Sequence, residues 1–216
     1  MTEAVKKEGF WNFTTRFSDH NEFWYWKGEL SDEVCSNIIA AGADEWEMGI
    51  VLERGEEVEE TPAKYSTNDL YRKCKVAWLN DDWLFNLVSE YGTAANDVAG
   101  WKYDLRGLEA MQLTRYCEGE YYNPHKDSLG SHHNVIHCPD NEYLHGHARK
   151  LSVVITLNND FEGGNLVFRD HPNHPEFESR GGSIVVFPSF LTHEVTPITK
   201  GIRYSLVCWF VGPPFK

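Results

Sequence analysis

Cysteine is scarce in this sequence, and what there is lies scattered. Cys35, Cys74, Cys117, Cys138 and Cys208 form no CxxC pair and no close cluster. An odd number with wide gaps excludes a dense disulfide framework and a structural zinc knot, so reduced thiols are expected. Positive charge is also short: 20 Lys and Arg against 33 Asp and Glu leave a formal net charge of −13. A chain of that sign is a poor partner for polyanions, and nucleic acid is not an expected ligand, although net charge alone does not exclude a local basic groove. No apolar run approaches the ~20 residues that span a bilayer, and Met1 to Glu8 lacks the apolar stretch of a signal peptide. No membrane partner is expected, and the expected location is cytoplasmic. Internal repeats and low-complexity tracts are missing too.

What is present is enough apolar material for a core. Of 216 residues, 41% are hydrophobic and 14% aromatic, which suits one compact domain with a flank packed on it. Residues 1–100 read as a helical and mixed amino-terminal flank, and residues 101–216 as a strand-rich core. Phe23-Trp24-Tyr25-Trp26 predicts a short strand. Ser31 offers an N-cap hydroxyl with Asp32 and Glu33 in the first turn; Val34, Ile38 and Ala41 share a face, and Gly42 is the stop. A second helix is expected from about Asp81 to Asn96, with Trp83, Leu87, Val88 and Tyr91 as its buried stripe. Glu53 to Glu60 reads as a solvated acidic loop, and a basic peptide is its only candidate partner.

From Leu108 onward, short strands alternate with turn signals. Strands are expected near 108–117, 150–158, 164–169, 182–187, 193–198 and 202–211, broken at Asn158-Asn159-Asp160, Gly163-Gly164, Gly181-Gly182 and Lys200-Gly201. Mainly antiparallel β with flanking helices follows, and a double-sheet jelly roll fits the spacing. Residues 128–148 form a long polar insertion. Its His132, His133, His137, His145 and His147 read as a solvated lid, with a second metal site as the less favoured alternative.

Chemistry concentrates at Asn123-Pro124-His125-Lys126-Asp127. Residues two apart in an extended segment project to one side, so His125 and Asp127 can offer an imidazole nitrogen and a carboxylate oxygen to one cation. A lone HxD is weak. Far downstream, Phe187-Pro188-Ser189-Phe190-Leu191-Thr192-His193 sets a second histidine in a strand context. Two His and one carboxylate on a single face leave positions open, an arrangement suited to ferrous iron and dioxygen. A zinc hydrolase could use the same three, with a general base and a water. Ten residues beyond His193 comes Arg203, on one strand face with Ser205, Val207 and Trp209. A guanidinium inside a barrel is costly unless it meets an anion, and its planar fork fits a carboxylate.

Arg115 to Asp127 is similar to the first-ligand region of the 2-oxoglutarate/iron(II) dioxygenases, in their prolyl 4-hydroxylase-like branch. Arg149 to Leu166 resembles the family's central strands and Gly-Gly turn, and Gly181 to Pro188 its approach to the distal histidine. The likeness covers roughly Leu108 to Phe210. It implies His125, Asp127 and His193 as metal ligands, with Arg203 pairing the far carboxylate of 2-oxoglutarate; many close prolyl hydroxylases have Lys there. It also implies Tyr116 and Thr156 as contacts of the co-substrate, Leu166, Val195 and Trp209 as lining of that pocket, and Tyr122 near the substrate entrance. Implied cofactors are Fe(II), 2-oxoglutarate and O2, with ascorbate as the reductant that keeps iron ferrous. Halogenating relatives lose the carboxylate ligand; Asp127 is present, which favours hydroxylation.

The expected activity is hydroxylation of a C–H bond, first of a prolyl residue in a peptide or protein, with release of succinate and CO2. The alternatives are a free amino acid or other small metabolite as substrate, a nucleic-acid demethylase, and a non-catalytic metal-binding jelly roll. Phe10, Trp11, Phe13 and Phe17 are candidates for a homodimer contact or for packing on the core.

Overall fold

The computed structural model describes residues 4–7, 10–13, 21–49, 51–53, 64–66, 70–129, 135–171, 176–177 and 180–215. Two antiparallel sheets face each other, and two helices cover the outside of the larger one. The larger sheet runs Trp24–Trp26, Ile184–Pro188, Ala148–Thr156, Arg203–Gly212, Met111–Tyr116, Lys75–Leu79, Glu47–Met48, with Gly107–Leu108 paired beside Arg203–Gly212. The smaller runs Glu176–Phe177, Leu166–Phe168, His193–Val195, Tyr121–His125, Arg72–Lys73. This is the expected mainly-β jelly roll with flanking helices. Among the described residues no helix is long and apolar enough to cross a membrane, and all five cysteines are free.

Alternation along the strands explains the layers. In Arg203–Gly212, Leu206, Cys208 and Phe210 join the core under the helices. Arg203, Ser205, Val207 and Trp209 therefore turn into the space between the sheets. Ala148–Thr156 does the same: Leu151, Val153 and Ile155 face the helices, while Val154 packs inward with Leu166, Phe168, Val185 and Phe187. The site described below grows from this inner face.

Helix α1 spans Asp32–Ala41, and the Ser31 hydroxyl accepts from the Val34 amide as an N-cap. Its buried residues are Cys35 and Ile38, whereas Ala41 is exposed and Val34 half-buried. Helix α2 spans Asp82–Val98 and buries Leu84, Val88, Gly92 and Ala95. The expected stripe is corrected at Trp83, which is 43% exposed; it lies one residue, about 100°, off the stripe that Leu84 and Val88 define. Leu87 and Tyr91 are half-buried at its border. Two expected strands are divided: Gly107–Leu108 precedes Met111–Tyr116, and His193–Val195 is separate from Ile198–Gly201. Glu53 ends a short strand, Val51–Glu53, and 54–60 lie outside the described residues. Phe10–Phe13 form a strand against Ala4–Lys7; Phe17 lies outside the described residues.

Candidate metal and co-substrate site

The strand Tyr121–His125 contains Pro124, which can donate nothing to a ladder, and its register against His193–Val195 shifts between Tyr122 and His125. Tyr122 stands opposite Val195 and His125 opposite His193. An extra residue of this kind re-aims the side chains beyond it. It sets the His125 and His193 rings 4.2 Å apart. Asp127, just past the strand end, completes the group: Oδ1 lies 3.7 Å from His125 Nε2 and Oδ2 3.6 Å from His193 Nε2. The ligand atoms of the three lie within 4.8 Å of one another, close enough to hold one metal ion.

The imidazole tautomers are dictated by their neighbours. His125 Nδ1 lies 2.8 Å from the Asn123 carbonyl oxygen, and His193 Nδ1 2.9 Å from that of Leu191. A carbonyl only accepts, so each ring carries a proton on Nδ1 and turns Nε2 inward. Burial, joined by His193, pulls His125 down to about 3, so its ring is neutral near pH 7. Asp127 goes to about 2; burial works the other way but is outweighed by His193, His125 and Arg149 and by a hydrogen bond from Ser152. A neutral His125 and an ionised Asp127 are the protonation states a divalent cation needs of them.

Further along the same inner face lies a cationic end. Arg203 is 1% exposed. Its Nη1 donates to Ser205 Oγ at 2.8 Å, while Nε and Nη2 are buried without a hydrogen-bond partner. A buried guanidinium with two idle donors is a strong reason to expect an anion. Tyr116 sits directly opposite it in the ladder, its ring 5.7 Å from the guanidinium carbon. Thr156 and Thr114 flank Ser205 in register, one on each neighbouring strand. The three hydroxyls thus form a row across the floor, and the Thr114 hydroxyl is buried without a partner. Leu166 and Val195, paired with each other on the smaller sheet, are both buried. Gly164, at φ +64°, passes so close that a Cβ there would lie 2.8 Å from Arg203 Cδ.

Trp209 is buried on the same face, with its Nε1 unpartnered. Arg149 lies over its ring at 3.8 Å and grips Glu109 bidentately, at 2.6 and 2.7 Å. Tyr122 stacks on His125, and Arg72 lies over the Tyr122 ring at 4.6 Å. The structure thus brings His125, Asp127, His193 and Tyr122 together, and sets Arg203, Tyr116, Thr156, Leu166, Val195 and Trp209 on the inner faces of the two sheets. Sequence reasoning missed Thr114, Arg149, Glu109, Ser152 and Ser189. For Ser152, a polar residue inside an otherwise apolar run of strand was the available signal.

Of the insertion, His132 and His133 lie outside the described residues. His145 Nδ1 accepts from the Cys138 amide, and His147 Nδ1 meets the Tyr143 carbonyl. Those contacts stitch the loop to itself, and no second metal-binding group occurs among the described residues.

Residues 111–211 match the family model of the 2OG-Fe(II) oxygenase superfamily. A PKHD-type hydroxylase of Idiomarina loihiensis is 31% identical over 101 residues, 46% of this chain and 40% of that protein. Another, of Alteromonas mediterranea, is 30% identical over 97 residues, 45% of this chain and 41% of that one. The chain therefore spans about two fifths of the length of these curated relatives. Among solved structures, the viral collagen prolyl hydroxylase of Paramecium bursaria Chlorella virus-1 superposes with a TM-score of 0.64 at 16% identity, covering 91% of this chain and 99% of that one. A Pseudomonas putida prolyl-4-hydroxylase gives 0.59 at 20% identity, covering 88% and 91%. At such identities the likeness speaks for the fold.

Proposed function

We propose that this chain, whose residues 111–211 match the model of the 2OG-Fe(II) oxygenase superfamily, is a 2-oxoglutarate/iron(II) oxygenase of the prolyl 4-hydroxylase-like kind and hydroxylates a C–H bond of a prolyl residue in a peptide, releasing succinate and CO2. The observation that carries the reading is the pairing of two features on one inner face: the His-Asp-His cluster, and a buried Arg203 with two unpaired donors. A zinc hydrolase would need in addition a general base and a water site beside the metal.

His125 Nε2, His193 Nε2 and one Asp127 oxygen would hold Fe(II), filling three positions and leaving three. Bound iron supplies the activation of dioxygen and the oxidising power that decarboxylation of 2-oxoglutarate releases. The chain's part is placement. Arg203 Nε and Nη2 receive the far carboxylate of 2-oxoglutarate, with the hydroxyls of Tyr116 and Thr156 as further donors. Tyr116 is pushed above its ordinary range, chiefly by burial, so it stays a phenol and can donate. Leu166, Val195 and the inward phenylalanines keep water from the pocket. Trp209 lines the same pocket, and Tyr122 stands on the side from which substrate approaches. A prolyl peptide as substrate is supported by the names of the prolyl hydroxylases of similar fold; ascorbate as an auxiliary reductant belongs to the same reading.

The test is an anaerobic titration with Fe(II) and then 2-oxoglutarate, followed for the visible metal-to-ligand band. A panel of proline-containing peptides and free amino acids is then read for succinate and for a gain of one oxygen in mass. No band sinks the iron reading. A band with turnover of free amino acids alone moves the substrate to the metabolite class.

A further inference from the structure

We propose that Ser152 and Ser189 form a hydroxyl relay that decides which oxygen of Asp127 is offered to the metal, an inference that rests on the iron reading of this site. Ser152 sits in the middle of a strand whose neighbours Leu151, Val153, Val154 and Ile155 are all buried; it is itself 0% exposed, as is Ser189 just past Pro188. Apolar residues would satisfy those positions, and a buried hydroxyl is costly unless bonded. Both are bonded. Ser152 Oγ lies 2.6 Å from Asp127 Oδ2, and Ser189 Oγ lies 2.9 Å from Ser152 Oγ.

The polarity of the relay follows from proton counting. A carboxylate only accepts, so the single Ser152 proton is committed to Asp127. Ser189 must then donate to Ser152, and the order is Ser189 to Ser152 to Asp127. The main chain reinforces it: the Ser189 amide donates to the Lys150 carbonyl, and the amide of Ser128, the residue after Asp127, donates to the Ser189 carbonyl, each at 3.0 Å. One residue thus ties the Asp127 segment to the strand of Ser152, four positions before His193.

Both oxygens lie near a ligand nitrogen, Oδ1 3.7 Å from His125 Nε2 and Oδ2 3.6 Å from His193 Nε2. The relay occupies Oδ2 and so leaves Oδ1 as the oxygen free to meet the metal. Held so, Asp127 would occupy one coordination position of a bound metal. Were it free to rotate and present both oxygens, it would take a second position and crowd the places that co-substrate and dioxygen require. Ser152 and Ser189 are positioning residues: they touch neither co-substrate nor reacting atoms.

Cobalt(II) reports on this without turnover, because its visible bands change in position and intensity with coordination number. Wild-type protein, Ser152→Ala, Ser152→Thr and Ser189→Ala are titrated anaerobically with Co(II) and Fe(II), and their thermal stability is measured in parallel. Ser152→Ala is expected to bind metal about ten- to a hundredfold more weakly, with shifted Co(II) bands. Ser152→Thr should restore both, and Ser189→Ala should move both in the same direction by less. Metal affinity and bands unchanged in Ser152→Ala overturn the relay, whatever happens to stability, since a merely structural serine would move stability alone. If Ser152→Ala does not fold, Ser189→Ala decides by the same two readouts. A wild-type protein that binds neither metal overturns the iron reading and the relay with it.

Discussion

The ring of Tyr122 lies flat on the imidazole of His125, with centroids 3.5 Å apart and planes inclined by 12°. Arg72 lies over the same phenol ring at 4.6 Å, anchored through Nη2 to Gln112 and through Nε to the Cys74 sulfur at 2.6 and 3.0 Å. The imidazole is thereby held from two directions: the Asn123 carbonyl fixes its tautomer, and the Tyr122 face fixes its plane.

The stack predicts a division between ring and hydroxyl. Tyr122→Phe keeps the stacked face and should bind Fe(II) as the parent does. Tyr122→Leu loses it, and an aromatic pair is worth about 0.5–1.5 kcal/mol, so metal affinity should fall by roughly two- to tenfold. Calorimetric titration with Fe(II) under anaerobic conditions measures both. Equal affinity in the Leu variant would remove the stack from the account of the site.

Arg203 predicts a separation of the two cofactors. Arg203→Ala strips the pocket of its cation and should weaken 2-oxoglutarate by about 2–5 kcal/mol, the scale for truncating one member of a buried charge pair. Fe(II) affinity should hardly change, because the guanidinium is no ligand. Arg203→Lys restores charge without the fork and should fall between. The measurement is the 2-oxoglutarate dependence of the visible band in iron-loaded protein. A parallel loss of iron and co-substrate would show that Arg203 serves folding instead.

The strand pattern and part of the site were legible in local spacing, while the roles of Tyr116, Thr156, Leu166, Val195, Trp209 and Tyr122 came from the family resemblance. Alternation around Arg203 put Ser205, Val207 and Trp209 on its side, and residues two apart made His125 and Asp127 companions. The shift of register between Tyr122 and His125 was not legible, although Pro124 marked the place, because a bulge depends on the partner strand. Trp83 misled because a large aromatic looks buried wherever it stands, while the stripe is set by Leu84 and Val88 one residue on. Ser152 and Ser189 were passed over since a serine in a strand looks neutral until its partner is known; theirs is 25 residues away in one case and 37 in the other.

The buried His125 also predicts how the metal-free protein responds to acid. In the unfolded chain this imidazole takes up a proton near pH 6.5, but in the folded chain only near 3. Between those values the unfolded state binds more protons, so stability falls as pH falls, by about 1 kcal/mol for each unit below 6.5. Asp127, held low when folded, acts in the same direction below about pH 4. Urea melts of metal-free protein from pH 7.5 to 5 measure the slope, and His125→Gln should flatten it. An unchanged slope in that variant would place the acid sensitivity elsewhere.

Two glycines separate stability from co-substrate binding. Gly92, inside α2, is where the helix meets the sheet: a Cβ there would lie 2.1 Å from Phe210 Cε2, on the face away from the site. Gly164 holds φ +64°, and a Cβ there would lie 2.3 Å from Ile198 Cδ1 and 2.8 Å from Arg203 Cδ. Both substitutions to alanine should destabilise the fold by about 1–3 kcal/mol through overpacking, and Gly164→Ala adds left-handed strain of about 1–2 kcal/mol. Only Gly164→Ala presses on the stem of the guanidinium. Its 2-oxoglutarate affinity should therefore drop several-fold at temperatures where the protein is still folded, while Gly92→Ala binds the co-substrate normally. Thermal melts and 2-oxoglutarate titrations on the same two samples decide the matter. Normal binding in Gly164→Ala would mean that the Gly-Gly turn shapes the pairing of Phe161–Gly163 with Ile198–Gly201 and leaves the position of Arg203 to Ser205 alone.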